Sequence, residues 1–569
     1  MTPRFDERLT RHFATQAEGW RTCAETGEHF FVSRAMIDMY RRLGVPVPTV
    51  CPRVRFRRQR QFIGGMDLFR REINGETIIT MFDPESPAIV WTNERWRSDA
   101  FDELSYGRDY DASRSFFDQW TDFSRSVPRS AIANSLQNEG SGWSIYGSFI
   151  KNCYFTYGGI RNDGLAYADF AVACSHSMDT SGDVRGEWSY ETVECVDCSH
   201  VYYSERCSSC LNVIFSLGCQ DCADCFGCAN LKHKKFYFLN QPLSESEYRE
   251  KIASMDFGDA AVVERLKKEI REKIWSKAVR RSGINIRSEN SYGDSLLDSE
   301  DTIGASLVDV HHGYHVFDVS HVRDACDVST STGLERAVNV LCCEAGYDVR
   351  VIFDSDACTD VEYSEYMVSC DHCFGCIGLR HKKFCILNKQ YEETEYWKLV
   401  DAIKSDMMDR GDYGNFFPVS STPFAYNASG ADVLYPLMQT EAEAIGGRWY
   451  DFGKERSVNA LPIDRLPTRL SEAADEILTQ TFACPVSGRA FRITKTELEF
   501  HRQFNLALPR LHPTVRRKER LKEMLPFDLH ERTCAECGKK VLTRYPSDFP
   551  SKIVCSECFE KVMLGEIGV

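Results

Sequence analysis

The stretch "CSSCLNVIFSLGCQDCADCFGC", Cys207–Cys228, holds six cysteines in twenty-two residues. Extended backwards, it shows a period. Cys195, Cys207 and Cys219 are twelve apart, and so are Cys198, Cys210 and Cys222. Cut at that length, the chain reads "CVDCSHVYYSER", "CSSCLNVIFSLG", "CQDCADCFGCAN". A fixed period with identical residues at one phase predicts stacked solenoid rungs. The runs "VYYS" and "NVIFS" are β-branched and aromatic, as strands prefer.

Three readings of the cysteines follow. They are small hydrophobes packed inside each turn, or adjacent rungs bind zinc, or Cys219, Cys222, Cys225 and Cys228 hold an iron–sulfur cluster. Burial is the favoured reading, because a second copy of the motif puts Met367 where the first has Cys219. In a regular strand, residues three apart face opposite ways. Each C-x2-C is therefore expected to turn a corner, one thiol pointing in and one stacking at the turn.

That second copy is "CDHCFGCIGLRHKKFCILN" (Cys370–Asn388), matching "CADCFGCANLKHKKFYFLN" (Cys222–Asn240), with Cys358 pairing Cys210 upstream. A helix is predicted after each copy, the first with a capping box at Ser244 and Glu247. "AVVERLKKEIREKIWSKAVRR" between them reads as a connector helix. The basic tails Lys232–Lys235 and Arg380–Lys383 read as anion contacts or as solvated turns.

The two ends of the chain also repeat each other. "CAETGEHFFVSRAMIDMYRRLG" from Cys23 aligns without a gap with "CPVSGRAFRITKTELEFHRQFN" from Cys484, and "REINGE" from Arg71 continues as "CAECGK" from Cys534. In the C-terminal copy, Cys534, Cys537, Cys555 and Cys558 form C-x2-C-x17-C-x2-C. Four thiolates on two tight turns suit one structural zinc and leave no open coordination position. The N-terminal copy has Arg71, Asn74, Thr92 and Arg95 at those positions and is predicted to keep the ribbon without metal. Cys23, Thr26, Cys51 and Val54, like Cys484, Ser487, His512 and Val515, fall short of four ligands.

These motifs, with "YGRDYDASRSFF" (Tyr106–Phe117), "SPAIVWTNERW" and "TPFAYN" (Thr422–Asn427), resemble the cysteine-rich zinc-ribbon and repeat proteins of Candidate Phyla Radiation bacteria, some labelled "CAIB/BAIF family". The resemblance covers nearly the whole chain and implies no established activity. It implies CxxC pairs where this chain has Thr26, Val54, Arg71, Asn74, Thr92 and Arg95.

The expected fold is mainly β with small α+β modules: a duplicated right-handed β-solenoid of about 12-residue rungs, flanked by two homologous ribbon modules, the C-terminal one zinc-bound. The divisions are an N-terminal degenerate ribbon (1–128), solenoid copy one (129–258), a connector helix (259–286), solenoid copy two (287–405), an irregular arm (406–480) and the C-terminal helix and zinc ribbon (481–569). With 43% apolar residues the chain can bury cores. It has no long apolar run, and its charged start lacks the apolar middle of a signal peptide, so a cytoplasmic protein with reduced thiols is expected.

No nucleotide, hydrolase or protease motif appears. The leading functional reading is a non-enzymatic scaffold for a macromolecular partner. A second places nucleic acid or the ribosome against basic runs in the end modules: Arg53, Arg55, Arg57, Arg58 and Arg60, and Arg516, Arg517, Lys518, Arg520 and Lys522. The net charge of −15 confines any such contact to local patches. A third gives the cysteine ladder a metal or redox role.

Overall fold

The structure is a computed structural model. It describes residues 2–566 other than 74, 135–137, 170, 172–173, 182–189, 191–198, 284, 287, 289–291, 298–302, 309–313, 317–324, 326–327, 329–334, 339, 341–345, 351, 354–358, 456–458, 524 and 527. Cys195, Cys198, Cys358 and Asn74 lie outside the described residues.

Helices alternate with short strands grouped in small sheets. Around the opening motif the strands are parallel and in register at twelve residues. Ser199, Leu211, Ala223 and Lys235 lie side by side in successive strands. Bridges extend the same step to Glu205, Leu217 and Ala229, and to Ser208, Gln220 and Lys232. In the second copy Val361, Cys373 and Cys385 pair likewise. Upstream of it the step is eleven: Asn285 pairs Leu296 and Tyr292 pairs Ile303.

The coil is not built from ordinary strands. Every third residue has positive φ: His200, Tyr203, Arg206, Ser209, Asn212 and Phe215 lie between 48° and 53°. A left-handed residue at each corner resets the chain, so side-chain direction repeats every three residues instead of every two. The residue after each corner points inward. Val201, Ser204, Cys207, Cys210, Val213 and Ser216 are all at most 3% exposed. This corrects the expectation that one thiol of each C-x2-C sits at a turn: a spacing of three is the inward phase itself. In the second copy Ser364, Met367, Cys370 and Cys373 hold the same phase, so Met367 packs in the core in the position of Cys219.

The thiols are satisfied as donors. Cys207 Sγ reaches the carbonyls of Glu205 (3.5 Å) and Ser216 (3.6 Å), and Cys210 Sγ those of Ser208 (3.3 Å) and Cys219 (3.5 Å). Ser204 Oγ makes the same pair of bonds, to the carbonyls of Tyr202 (2.9 Å) and Val213 (3.3 Å). Cysteine and serine are thus interchangeable fillers of a narrow interior.

Each ladder ends on an asparagine. Asn240 Oδ1 accepts from Ala229 N (2.9 Å) and its Nδ2 donates to Ala229 O (3.1 Å). Asn388 treats Ile377 in the same way (2.8 and 2.8 Å). The side chain stands in for the backbone of a next coil. Two consecutive left-handed residues, Leu239–Asn240 and Leu387–Asn388, then reverse the chain into an antiparallel strand, as a type I′ turn does. The helices Glu245–Ala253 and Glu393–Arg410 follow, and the Ser244–Glu247 capping box forms. Between the ladders runs the helix Ala260–Lys273.

The end modules are joined crosswise to the ladders. The N-terminal strand Val90–Trp91 pairs with Arg129–Ser130, and its C-terminal counterpart Ile553–Val554 pairs with Arg280–Arg281. Arg129, on the strand leading towards the first ladder, forms a bidentate pair with Glu365 of the second (2.8 and 2.7 Å), fully buried. Arg280, on the strand leading towards the second, lies 3.9 Å from Glu205 of the first. The basic tails complete the docking. Lys232 Nζ pairs with Glu560 of the C-terminal module (2.9 Å), and the equivalent Arg380 donates to Trp96 O of the N-terminal module (2.7 Å).

The segment after the second ladder packs on the N-terminal module. Thr422 Oγ1 donates to Gln61 O (2.8 Å), Gly65 N to Ala428 O (2.7 Å), and Phe82 stacks on Phe424 at 5.0 Å. Its short helix Ala431–Leu434 contacts both Pro52–Arg60 and the homologous helix Pro513–Glu523.

Asn388→Ala should destabilise the protein by about 3 kcal/mol, because it leaves a buried amide and carbonyl of Ile377 without partners. The fall in the denaturation midpoint measures it, and Asn240→Ala should act in the same direction.

Candidate metal centre

The C-terminal module brings four thiols together. Cys534 and Cys537 lie on the turn joining the antiparallel strands His530–Thr533 and Lys540–Thr543. The turn closes through Cys534 N to Lys539 O (2.8 Å) and Gly538 N to Cys534 O (3.0 Å). Gly538 sits at φ +73° with open space around it, so the backbone angle demands glycine there. Cys555 caps the helix Ser556–Met563, which carries Cys558 in its first turn. Cys555 N donates to Cys534 Sγ (3.2 Å), and Cys537 Sγ lies 3.8 Å from Cys555 Sγ.

All four sulfurs fall within 4.8 Å of one another and could hold a metal ion. Cys534, Cys555 and Cys558 are buried and Cys537 is exposed. Burial opposes ionisation of Cys534, but amides of Cys537, Cys555 and Glu536 outweigh it and bring the thiol down to about 6. Desolvation and the neighbouring sulfurs push Cys558 up to about 12. Such a set ionises fully only when a cation replaces the missing protons. Four thiolates can complete the coordination of a single metal ion, an arrangement suited to holding structure together.

The N-terminal copy repeats the layout, with the hairpin Phe69–Ile73 and Glu76–Thr80, the strand Val90–Trp91 and the helix Asn93–Arg97. Its ligand positions have taken structural work. Arg71 pairs with Ile78 in the hairpin, Thr92 accepts from Arg95 N at 3.3 Å as helix cap, and the Arg95 guanidinium lies 3.8 Å over the Trp91 ring.

The basic runs lie largely inside the protein. Arg55, Arg57 and Arg60 are buried on the helix Pro52–Arg60, and Arg516, Arg517 and Arg520 on Pro513–Glu523. Arg55 Nη1 donates to Val50 O (2.7 Å), and Arg57 and Arg58 share Glu25. Arg516 bonds Asp179 and Glu497, Arg520 bonds Asp179 (2.6 Å), and Arg517 forms an ion pair with Asp169 (2.7 Å). Lys518 pairs with Asp432. The exposed Arg53 and Lys522 lie near Glu28 (3.8 Å) and Glu519 (2.7 Å).

The phosphate-facing surface expected of these helices is thus mostly buried: Pro513–Glu523 turns its arginines to the first ladder, and Pro52–Arg60 turns Arg55, Arg57 and Arg58 to Val50 and Glu25 of its own module. For the C-terminal helix basic spacing alone could not show this, because the matching acids, Asp169 and Asp179, lie more than three hundred residues away. Glu497, legible as half of a capping box with Thr494, forms that box and also holds Arg516.

No family model, curated protein or solved structure matches the chain. Among the described residues, no helix is long and apolar enough to cross a membrane.

Asp179→Asn should cost about 3–5 kcal/mol, the loss typical of a broken buried pair, because Arg516 and Arg520 both lose a counter-charge. Lys522→Ala should change stability by less than about 0.5 kcal/mol. Paired denaturation curves compare the two. Acidification should strip metal from the Cys534 centre, because protons compete for its thiolates. A chromogenic chelator would report the release.

Proposed function

We propose that the chain is a non-enzymatic scaffold that binds a partner protein. In this reading the two ladders are right-handed β-solenoids, the hand that parallel crossovers take, and one zinc ion pins the C-terminal ribbon. The carrying observation is the four-thiol set, which can supply all four ligands of a tetrahedral metal and would leave no position on it for substrate. Repeat folds present extended rigid surfaces suited to macromolecules.

The first ladder exposes apolar side chains for this role. Ser148 bridges to Ile160, so Phe149 and Ile160 lie on adjacent coils, 50% and 38% exposed. The ion pairs that bury Arg516, Arg517 and Arg520 favour a protein partner over nucleic acid. Every described cysteine is a free thiol, which suits a reducing compartment such as the cytoplasm.

Elemental analysis of the reduced, full-length protein should find about one zinc per chain and no iron, and Cys558→Ala should abolish the zinc. Iron, or several zinc ions, would point to the ladder as a metal store. For the partner, affinity purification of wild type and a Phe149→Ser/Ile160→Ser variant should recover a defined protein set only with wild type, at equal melting temperatures. Recovery of nucleic acid alone, or identical sets from both, would refute the protein scaffold on this face.

A further inference from the structure

The knuckle that shapes the metal centre occurs again at Cys23, with half of its ligands. Cys23 N donates to Glu28 O (2.8 Å), Gly27 N to Cys23 O (2.9 Å), and Cys51 N to Cys23 Sγ (3.3 Å). The corresponding contacts around Cys534 measure 2.8, 3.0 and 3.2 Å. Gly27 takes φ +73°, the value of Gly538. The other two ligand positions are Thr26 and Val54, so a cradle built for thiolates holds a dithiol and too few donors for a closed metal site.

The two sulfurs are set differently. Burial opposes ionisation of Cys23, but the Thr26 hydroxyl and the amides of Cys51, Thr26 and Glu25 outweigh it and bring the thiol to about 7. Desolvation and the adjacent Cys23 sulfur push Cys51 up to about 11. Cys51 Sγ also lies 3.7 Å from Glu28 Oε2. The pair sits one layer down: Ala24, Thr26, Gly27 and Glu28 beside it are exposed.

The sister knuckle supplies a contrast. Amides of His512, Ser487 and Val486 and the Ser487 hydroxyl outweigh burial and lower the Cys484 thiol, but His512 stands where Cys51 would be. It has no second sulfur.

We propose that Cys23 and Cys51 are a peroxide-reactive dithiol that closes to a reversible disulfide. The Cys23 thiolate attacks one oxygen of hydrogen peroxide. The O–O bond breaks, hydroxide leaves and is protonated to water, and Cys23 becomes a sulfenic acid. Cys51 passes its proton to Glu28, and its sulfur attacks that of Cys23. The S–O bond breaks, the oxygen leaves with two protons as water, and the S–S bond forms. Two thiols lose two electrons and one peroxide becomes two waters.

The test uses the full chain, reduced and loaded with zinc, titrated with hydrogen peroxide and mapped by mass spectrometry after alkylation. The expected product is a Cys23–Cys51 linked peptide, two hydrogens lighter than the free pair and restored by dithiothreitol. Cys484 should instead gain a dimedone adduct. Cys51→Ser should move the dimedone label onto Cys23, and Cys23→Ser should leave Cys51 a free thiol. Alkylation of both Cys23 and Cys51 in wild type, at peroxide that modifies Cys484, would overturn the proposal. So would a second zinc equivalent lost in Cys23→Ser, which would make the pair metal ligands. The wild-type map stands even if a variant fails to fold, and neither outcome depends on the scaffold reading.

Discussion

The left-handed corner at every third residue is the constraint on which the structure rests. An L-residue in that conformation costs about 1 kcal/mol or more, and here the corners include Tyr203, Phe215, Tyr363 and Phe384, which have no glycine-like freedom. Isolated, such a coil would not form. Stacked, each coil gains a parallel ladder on the next and buries one residue from every side. The cost is offset only collectively, so the ladders need firm ends. The last amide and carbonyl of each ladder would otherwise be unpaired, and Asn240 and Asn388 answer that need with one side chain apiece.

The same geometry explains the crosswise assembly. Each end module adds a short strand beside the chain that leads into one ladder, while its polar contacts reach the other. Arg129 with Glu365, and Lys232 with Glu560, tie distant parts of the chain together. The end modules also meet directly: Asp67 accepts from Arg489 and Thr514, and its counterpart Asp528, pushed up to about 6 by burial, faces Arg53. A chain with two repeats of module and ladder, the second in permuted order, thereby closes on itself. Removing one buried arginine would strand a carboxylate in the interior, which is why these pairs enforce the arrangement more than they add to stability.

Much of this was legible in residue order. The twelve-residue phase and the Ser244 and Thr494 capping boxes follow from local spacing, and the two duplications and the C-x2-C-x17-C-x2-C set at Cys534, Cys537, Cys555 and Cys558 follow from matching segments along the chain. The inward phase of three was not legible from strand rules, which assume a period of two; Cys207 and Cys210 share one interior only because Arg206 and Ser209 are left-handed. The fate of the basic helices was hidden for another reason. Arg516 and Arg520 read as solvated until Asp179, far back in the chain, is placed against them.

The cysteines of the ladder and those of the modules, alike in sequence spacing, are opposite in chemistry. In the ladder a C-x2-C is two successive inward positions whose thiols each donate to carbonyls, a role that Ser204 fills and that Met367 replaces with bulk. Acceptors and burial favour the protonated thiol, and Cys207, Cys219 and Cys373 are pushed up, while neighbouring thiols that donate to them bring Cys222 and Cys370 down. In the modules a C-x2-C is a knuckle whose amide N–H groups point at sulfur, as Cys555 N does at Cys534 and Cys51 N at Cys23. Donors around a sulfur favour the thiolate, the form that binds metal or attacks peroxide. Carbonyls face most of the ladder sulfurs, whereas amides face Cys23 and Cys534, and at these two module thiols that difference, more than how densely cysteines cluster, lowers the cost of ionisation.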